Sequence, residues 1–135
     1  MNPVIWQRVE SAAVAVAVIV GMVVLGLSWW WLLVLFLAFD VSALGYLANT
    51  KMGALFYNAV HNYAGPAPLV LIYFATDARW VALVAMAWGF HVAVDRALGY
   101  GLKLNDDFQH THLGWIGNKR RTVQSSEGTA REATE

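Results

Sequence analysis

Long apolar segments separated by short polar breaks make up most of this chain. No residue from Ser11 to Phe39 carries a formal charge. One bilayer crossing needs only about 20 residues, so this stretch predicts two membrane helices joined by a turn. Further apolar segments follow the polar breaks at residues 49–51 and 76–79. The pattern predicts an all-α bundle of four transmembrane helices, at about residues 9–27, 29–48, 52–74 and 80–98.

The third predicted helix is interrupted by Gly65-Pro66-Ala67-Pro68. Each proline removes a backbone donor, and broken membrane helices persist where neighbours or a cavity satisfy the freed carbonyls. We therefore expect a kink just above His61. The kink either opens a cavity there or is only a bend.

The chain after the fourth helix is more polar. Residues 99–117 keep apolar anchors, among them Phe108 and Trp115, so we expect a short ordered cytoplasmic segment that completes a domain of residues 1–117. From Asn118 the sequence is polar and poor in large apolar residues, which is typical of disorder. Residues 118–135 are predicted to be a disordered polar tail.

Composition supports a membrane protein. Hydrophobic residues make up 59% of the 135 residues and charged residues 13%, against about 25% charged in soluble domains. A soluble domain of this size could not bury so much apolar surface. The net charge is zero, which gives no signal for nucleic acid. The chain has no cysteine, so disulfides, thiolate metal sites and cysteine nucleophiles are excluded.

The basic residues predict an orientation. With four crossings, both termini lie on one side, and Arg79 is the one lysine or arginine predicted on the other side. The positive-inside rule then places both termini in the cytoplasm of a multi-pass protein of the cytoplasmic (inner) membrane. The bilayer is the expected partner, and the sequence does not predict an oligomeric state. The basic residues on the terminal side are Arg8, Lys51, Arg96, Lys103, Lys119, Arg120, Arg121 and Arg131.

Four ionisable residues fall within the predicted spans: Asp40, His61, His91 and Asp95. A rise of about 1.5 Å per residue places Asp40 and His91 about 16 Å from the outer surface and His61 roughly 14 Å from the inner one. Asp95 follows His91 by one helical turn, on the same face. Charged groups at this depth are costly and usually face the bundle interior, so we expect a polar site there.

Three interpretations of this site remain open. Histidine and carboxylate donors suit a divalent metal, zinc first, held by His61, His91, Asp95 and a fourth ligand. Asp40 would be that ligand or a catalytic base, in a metal-dependent enzyme that acts on a lipid or another amphiphile. Alternatively, the cluster is structural or conducts protons or ions in a non-catalytic protein. A third alternative is haem binding through His61 and His91.

Other polar residues could contribute from the cytoplasmic side. Asn58 shares a predicted helical face with His61. His112, in the pair His110-Thr111-His112, could cap the metal site if its segment folds back, although such a pair is more often solvated. Tyr100 and Lys103 would lie near the inner surface and could meet a lipid head group.

The sequence also resembles a known family. The run from His91 to Lys103, with Asp95-Arg96 and Gly99-Tyr100-Gly101-Leu102 inside it, is similar to the signature of small bacterial membrane proteins grouped as domain of unknown function 4260. Matching residues elsewhere are Asp40-Val41-Ser42, Gly45-Tyr46, Tyr57-Asn58, His61, Phe108 and Thr111-His112-Leu113-Gly114. The resemblance covers about residues 36–117. It implies a four-helix bacterial membrane protein, adds Arg96 to the site residues and implies no activity.

Overall fold

The computed structural model describes residues 2–117, Thr122 and residues 125–127. Nearly all of the predicted tail at residues 118–135, including the basic triplet 119–121, lies outside the described residues. The described chain is mostly helical, as the sequence predicts. Its elements are α1 (Pro3–Val24), α2 (Trp31–Asp40), a 3-10 segment (Val41–Leu47), α3 (Thr50–Val60), α4 (Pro66–Thr76), α5 (Arg79–Leu98), β1 (His110–Thr111) and β2 (Gly114–Trp115).

Two of these helices, α1 and α5, are long and apolar enough to cross a membrane. α1 begins before the predicted residue 9, because the Asn2 side chain accepts a hydrogen bond from the Val4 N–H and Pro3 fits the first helical position. α5 ends at Leu98 and is capped by Gly99, whose φ of 99° is favourable for glycine. α2 with its 3-10 extension, and α4, are shorter apolar helices.

α5 is the central element, because α1, α2 and α4 all pack against it. Two arginines join the ends of α1 and α5. The Arg8 Nε donates to the Ala97 carbonyl at 2.8 Å, and the Arg79 guanidinium donates to the Leu25 and Gly26 carbonyls at 3.0 and 2.9 Å. α1 and α5 are therefore antiparallel neighbours over their whole length.

The distribution of apolar and polar side chains is reversed from that of a soluble domain. The buried apolar cluster is small, built on Met22, Leu32 and Ala87, while large apolar side chains such as Leu47 and Phe74 are 85% and 78% exposed. An apolar surface this extensive fits contact with lipid. The buried polar side chains of the described residues are Ser11, His61, His91, Asp95, Arg96, Lys103 and Thr111.

The predicted third helix is divided in two, and the break lies earlier than the sequence indicated. α3 ends at Val60, His61 follows as its C-cap with φ −92° and ψ 41°, and α4 begins at Pro66. The Asn62 side chain donates to the Asn58 carbonyl at 2.5 Å, which competes with a continuing helix. Pro66 is thus the first residue of a new helix, not a kink within an old one.

α3 packs closely against the 3-10 segment. A Cβ at Gly53 would overlap the Tyr46 ring, and a Cβ at Gly45 would lie 2.8 Å from the Phe56 ring and 3.0 Å from the Met52 carbonyl oxygen. Glycine at these two positions lets the two backbones approach. This contact brings the end of α2 close to the end of α3.

Candidate metal centre

Three helix positions bring the four predicted ionisable residues together. Asp40 is the last residue of α2, His61 caps the C-terminus of α3, and His91 and Asp95 lie one turn apart on α5. One donor atom from each residue belongs to a group whose members all lie within 4.8 Å of one another. The sequence-based expectation that Asp40, His61 and His91 share one level, with Asp95 one turn from His91, agrees with this geometry.

The donor–donor distances within the group lie on both sides of those around a four-coordinate metal ion. The His61 Nε2 lies 3.5 Å from a carboxylate oxygen of Asp40 and 3.5 Å from one of Asp95. The His91 Nε2 lies 3.7 and 3.9 Å from the same two oxygens, and the two Nε2 atoms are 2.9 Å apart. Donors around a tetrahedral zinc ion, with bonds of about 2.0 to 2.2 Å, lie about 3.3 to 3.6 Å from one another. The four residues could therefore hold a metal ion.

The orientation of the His61 ring suits a ligand. Its Nδ1 lies 2.9 Å from the Tyr57 carbonyl oxygen, one turn back along α3, and 3.5 Å from the Ser42 hydroxyl. A carbonyl oxygen can only accept, so Nδ1 carries the proton and Nε2 presents its lone pair to the group. Metal-binding histidines commonly donate the other N–H to a backbone carbonyl, which fixes the tautomer.

Tyr57 was not predicted to be a site residue, yet it contacts two of the four donors. Its hydroxyl donates to the Asp95 carboxylate at 3.0 Å, and its ring stacks on the His61 ring at a centroid distance of 3.6 Å. Its position four residues before His61, on the same helical face, was the available signal. Tyrosine is common in apolar helices, however, and this spacing alone does not separate a site residue from a packing residue.

The two sides of the group differ in exposure. His91 is fully buried, and its ring lies edge-on against Phe36 at a centroid distance of 4.5 Å. Its Nδ1 has no hydrogen-bond partner among the described residues. The Asp40 side chain is 46% exposed, against 12% for Asp95. The group is thus closed on the α5 side and open at Asp40.

Arg96 and His112 adjoin the group without belonging to it. The Arg96 guanidinium donates to the His61 carbonyl at 3.1 Å, and its other terminal nitrogen lies 3.2 Å from the His112 Nε2. His112 accepts from the Leu102 N–H at 2.8 Å through Nδ1. Burial, and then the Arg96 charge, lower the pKa of His112. His112 is not one of the four grouped donors, and its role as a cap of the metal site stays a prediction.

Asn58 and Lys103 connect α3 to the segment after α5. The Asn58 amide accepts from the Lys103 N–H at 2.7 Å and donates to the Lys103 carbonyl at 2.9 Å. The Lys103 ammonium donates to the Phe108 carbonyl at 2.8 Å and lies 5.0 Å from the Tyr57 ring centroid. Burial lowers the pKa of Lys103. Tyr100 is 42% exposed and is not among the four donors.

Fold and site together define a predominantly helical, apolar-surfaced protein with a partly buried Asp/His group that could hold a metal ion. The model of the family described as "Domain of unknown function (DUF4260)" matches residues 4–116, and the chain belongs to this family. Comparisons with curated proteins and with solved structures found no match. The resemblance noted in the sequence is therefore confirmed, and the family assigns no activity.

Proposed function

We propose that this chain is a multi-pass membrane protein that binds one divalent metal ion, zinc first, through Asp40, His61, His91 and Asp95. The observation that carries the proposal is the convergence of one donor atom from each residue within 4.8 Å. Two imidazoles and two carboxylates suit zinc and related divalent ions. The four residues come from three helical elements distant in sequence, which would be a costly arrangement without a bound cation to offset the buried carboxylate charge.

The proposed activity is that of a metal-dependent enzyme acting on a lipid or another amphiphile. A divalent metal lowers the pKa of a water molecule that it binds. His61, His91 and Asp95 are the better enclosed ligands, and Asp40 is the exposed carboxylate beside them. In the enzyme, a water molecule would take the fourth position on the metal in place of Asp40, and the Asp40 carboxylate would accept its proton at the open side. Its neighbours on the outer surface, Leu37 and Val41, are 72% and 58% exposed, so an apolar substrate would reach this side from within the bilayer.

Four crossings are supported by the lengths and neighbours of the shorter helices. α2 and the 3-10 segment, with 10 and 7 residues, together rise about 29 Å, close to the ~30 Å hydrocarbon core. α3 and α4 rise about 16 Å each. Tyr63 and Pro66 share a cavity wall with Val14 and Val18, while Tyr73 and Phe74 share one with Gly21, Val24 and Leu25. α4 thus runs beside the second half of α1 in the same direction.

The proposed location is the cytoplasmic (inner) membrane of a bacterium, with both termini in the cytoplasm. The basic residues support this orientation, since Arg8, Lys51 and Lys103 fall at one end of the bundle and Arg79 at the other. Residues 1–117 would form the domain, with residues 99–117 as its ordered cytoplasmic part.

A non-catalytic role is the second candidate. It is favoured by the hydrogen bonds that join His61 to His91 and Tyr57 to Asp95, since these alone could fix the packing of α3 on α5. Haem binding has less support. Two axial nitrogens on one iron would lie about 4 Å apart for metal–nitrogen bonds of about 2 Å. The two Nε2 atoms lie 2.9 Å apart, with carboxylate oxygens 3.5 Å away.

Metal analysis of the purified full-length chain tests the proposal. Prepared without chelator and supplied with zinc, the wild type should retain about one ion per chain after dialysis, and His91→Ala should retain none. His110→Ala is the matched control, because His110 pairs with Asp106 in the hairpin, away from the group. If the wild type retained no metal, metal binding would be wrong and the non-catalytic role would remain. If His91→Ala and His110→Ala lost the same amount of metal, the assigned ligands would be wrong.

A further inference from the structure

Two adjoining cavities share Arg8 at the end of the bundle where the N-terminal part of α1 meets the last turn of α5. One cavity, of about 160 Å³, has a mostly polar wall that includes Arg8, Gly99, Tyr100 and Trp115. The other, of about 320 Å³, is apolar and is lined by Ile5, Arg8, Val9, Ala12 and Ala97. A polar space and an apolar space thus meet at one cationic side chain.

Among the described residues, a hydrogen bond orients Arg8 but no acidic side chain pairs with it. Its Nε donates to the Ala97 carbonyl at 2.8 Å, which holds the guanidinium between the two cavities. Arginine has five N–H donors, and the Nε donor is the one with a protein partner among the described residues. No acidic residue of the described chain lines either cavity, and the nearest in sequence, Glu10, is absent from both walls. The guanidinium can therefore bind an anionic group in a bidentate manner.

We propose that these cavities bind one anionic phospholipid, with its phosphate on Arg8 in the polar cavity and an acyl chain in the apolar one. The site is separate from the Asp/His group, but it rests on the proposed membrane placement, which sets Arg8 at the depth of the cytoplasmic head groups. Tyr100 and Trp115 are the residue types enriched at that depth. The apolar cavity beside the same arginine favours a lipid over free phosphate. A zwitterionic head group would find no carboxylate for its cation among the described residues that line the two cavities.

Lipid binding to the full-length chain in a non-ionic detergent, followed by native mass spectrometry, tests the proposal. We expect dioleoylphosphatidylglycerol to bind about fivefold more tightly than dioleoylphosphatidylcholine, the ratio equivalent to ~1 kcal/mol for one basic residue near anionic lipid. Arg8→Gln can still donate to the Ala97 carbonyl but has no charge, so it should abolish the preference. Lys51→Gln removes an exposed charge at the same end of the bundle and should leave the preference for the anionic lipid unchanged.

A second variant tests the acyl-chain cavity without changing any charge. Ala12→Phe should fill this cavity and weaken binding of the anionic lipid, while inorganic phosphate at millimolar concentration should not displace the lipid from the wild type. Equal binding of the two lipids, an equal effect of Arg8→Gln and Lys51→Gln, or displacement by phosphate would each overturn the proposal. If the membrane placement is itself wrong, alkaline carbonate will extract the chain from membranes. A chain that lacks only this lipid site will remain in them.

Discussion

Tyr57 contacts two of the four donors at once, through two different parts of its side chain. Its ring stacks on His61, its hydroxyl donates to Asp95, and its own backbone carbonyl accepts from the His61 Nδ1. One residue therefore sets the tautomer of a histidine and the orientation of a carboxylate. Groups that orient metal ligands in this way typically change metal affinity 10- to 100-fold when removed.

Replacement of Tyr57 by phenylalanine should keep the ring stacking and remove the hydrogen bond to Asp95. We expect the zinc affinity to fall about tenfold, with little change in fold, because the carboxylate loses the donor that positions it. Competition with a chromophoric chelator measures the affinity. Tyr46→Phe is the control, since the Tyr46 hydroxyl is buried without a partner among the described residues. If the two variants bind zinc equally well, Tyr57 does not orient a ligand.

At this scale, the sequence predicted the donors but not the residues that orient them. An ionisable side chain in an apolar segment is conspicuous, and the helical rise alone placed Asp40, His61 and His91 at one depth. Tyr57 and Ser42 carry no such signal, because tyrosine and serine are common in membrane helices. Their roles depend on side-chain rotamers and on the packing of α3 against α5, and the spacing of residues along the sequence predicts neither.

The close contact between α3 and the 3-10 segment governs the site at the scale of elements. It brings Asp40, at the end of α2, to His61, at the end of α3, so a small separation of the two backbones would pull one donor from the group. Gly53 permits the contact, because a Cβ there would overlap the Tyr46 ring. This overlap cannot be relieved without moving the ring or the helix.

We therefore expect Gly53→Ala to lower both the thermal stability and the zinc affinity of the chain. Overpacking of this kind costs typically 1–3 kcal/mol, more than the ~0.5–1 kcal/mol that alanine gains over glycine within a helix. Gly89→Ala provides the comparison, since a Cβ at Gly89, within α5, meets nothing within 4 Å. That variant should be neutral or slightly stabilised in a thermal unfolding assay. Unchanged zinc binding in Gly53→Ala would show that the site tolerates separation of the two elements.

The division of the third predicted helix shows why element boundaries were harder to predict than elements. The two prolines pointed to an interruption at residues 65–68, yet α3 already ends at Val60. The Asn62 amide bonds to the Asn58 carbonyl and turns the chain before the prolines are reached. His61 thereby occupies a C-cap position, where its ring turns towards α5.

For the whole molecule, the segregation of apolar and polar residues was predictable, because composition and hydropathy alone require it. The lengths of the individual helices were not. α1 and α5 are each long enough to cross a membrane, whereas the two segments between them use a 3-10 extension and a broken helix. This local geometry follows from the close contact of the 3-10 segment with α3 at Gly45 and Gly53, and from the turn at Asn62. Hydropathy predicts neither feature.

The number of crossings can be measured directly, since the chain has no cysteine and each introduced cysteine is a unique label. Four exposed positions are suitable for a single introduced cysteine: Ser28, Lys51, Thr76 and Asn105. In sealed vesicles of known orientation, a membrane-impermeant maleimide should react with Lys51→Cys and Asn105→Cys from the cytoplasmic side and with Ser28→Cys and Thr76→Cys from the opposite side. The Lys51→Cys variant distinguishes four crossings from two. If α1 and α5 were the two crossings and the segments between them stayed on one surface, Lys51→Cys would react from the same side as Ser28→Cys, and the four-crossing arrangement would be wrong.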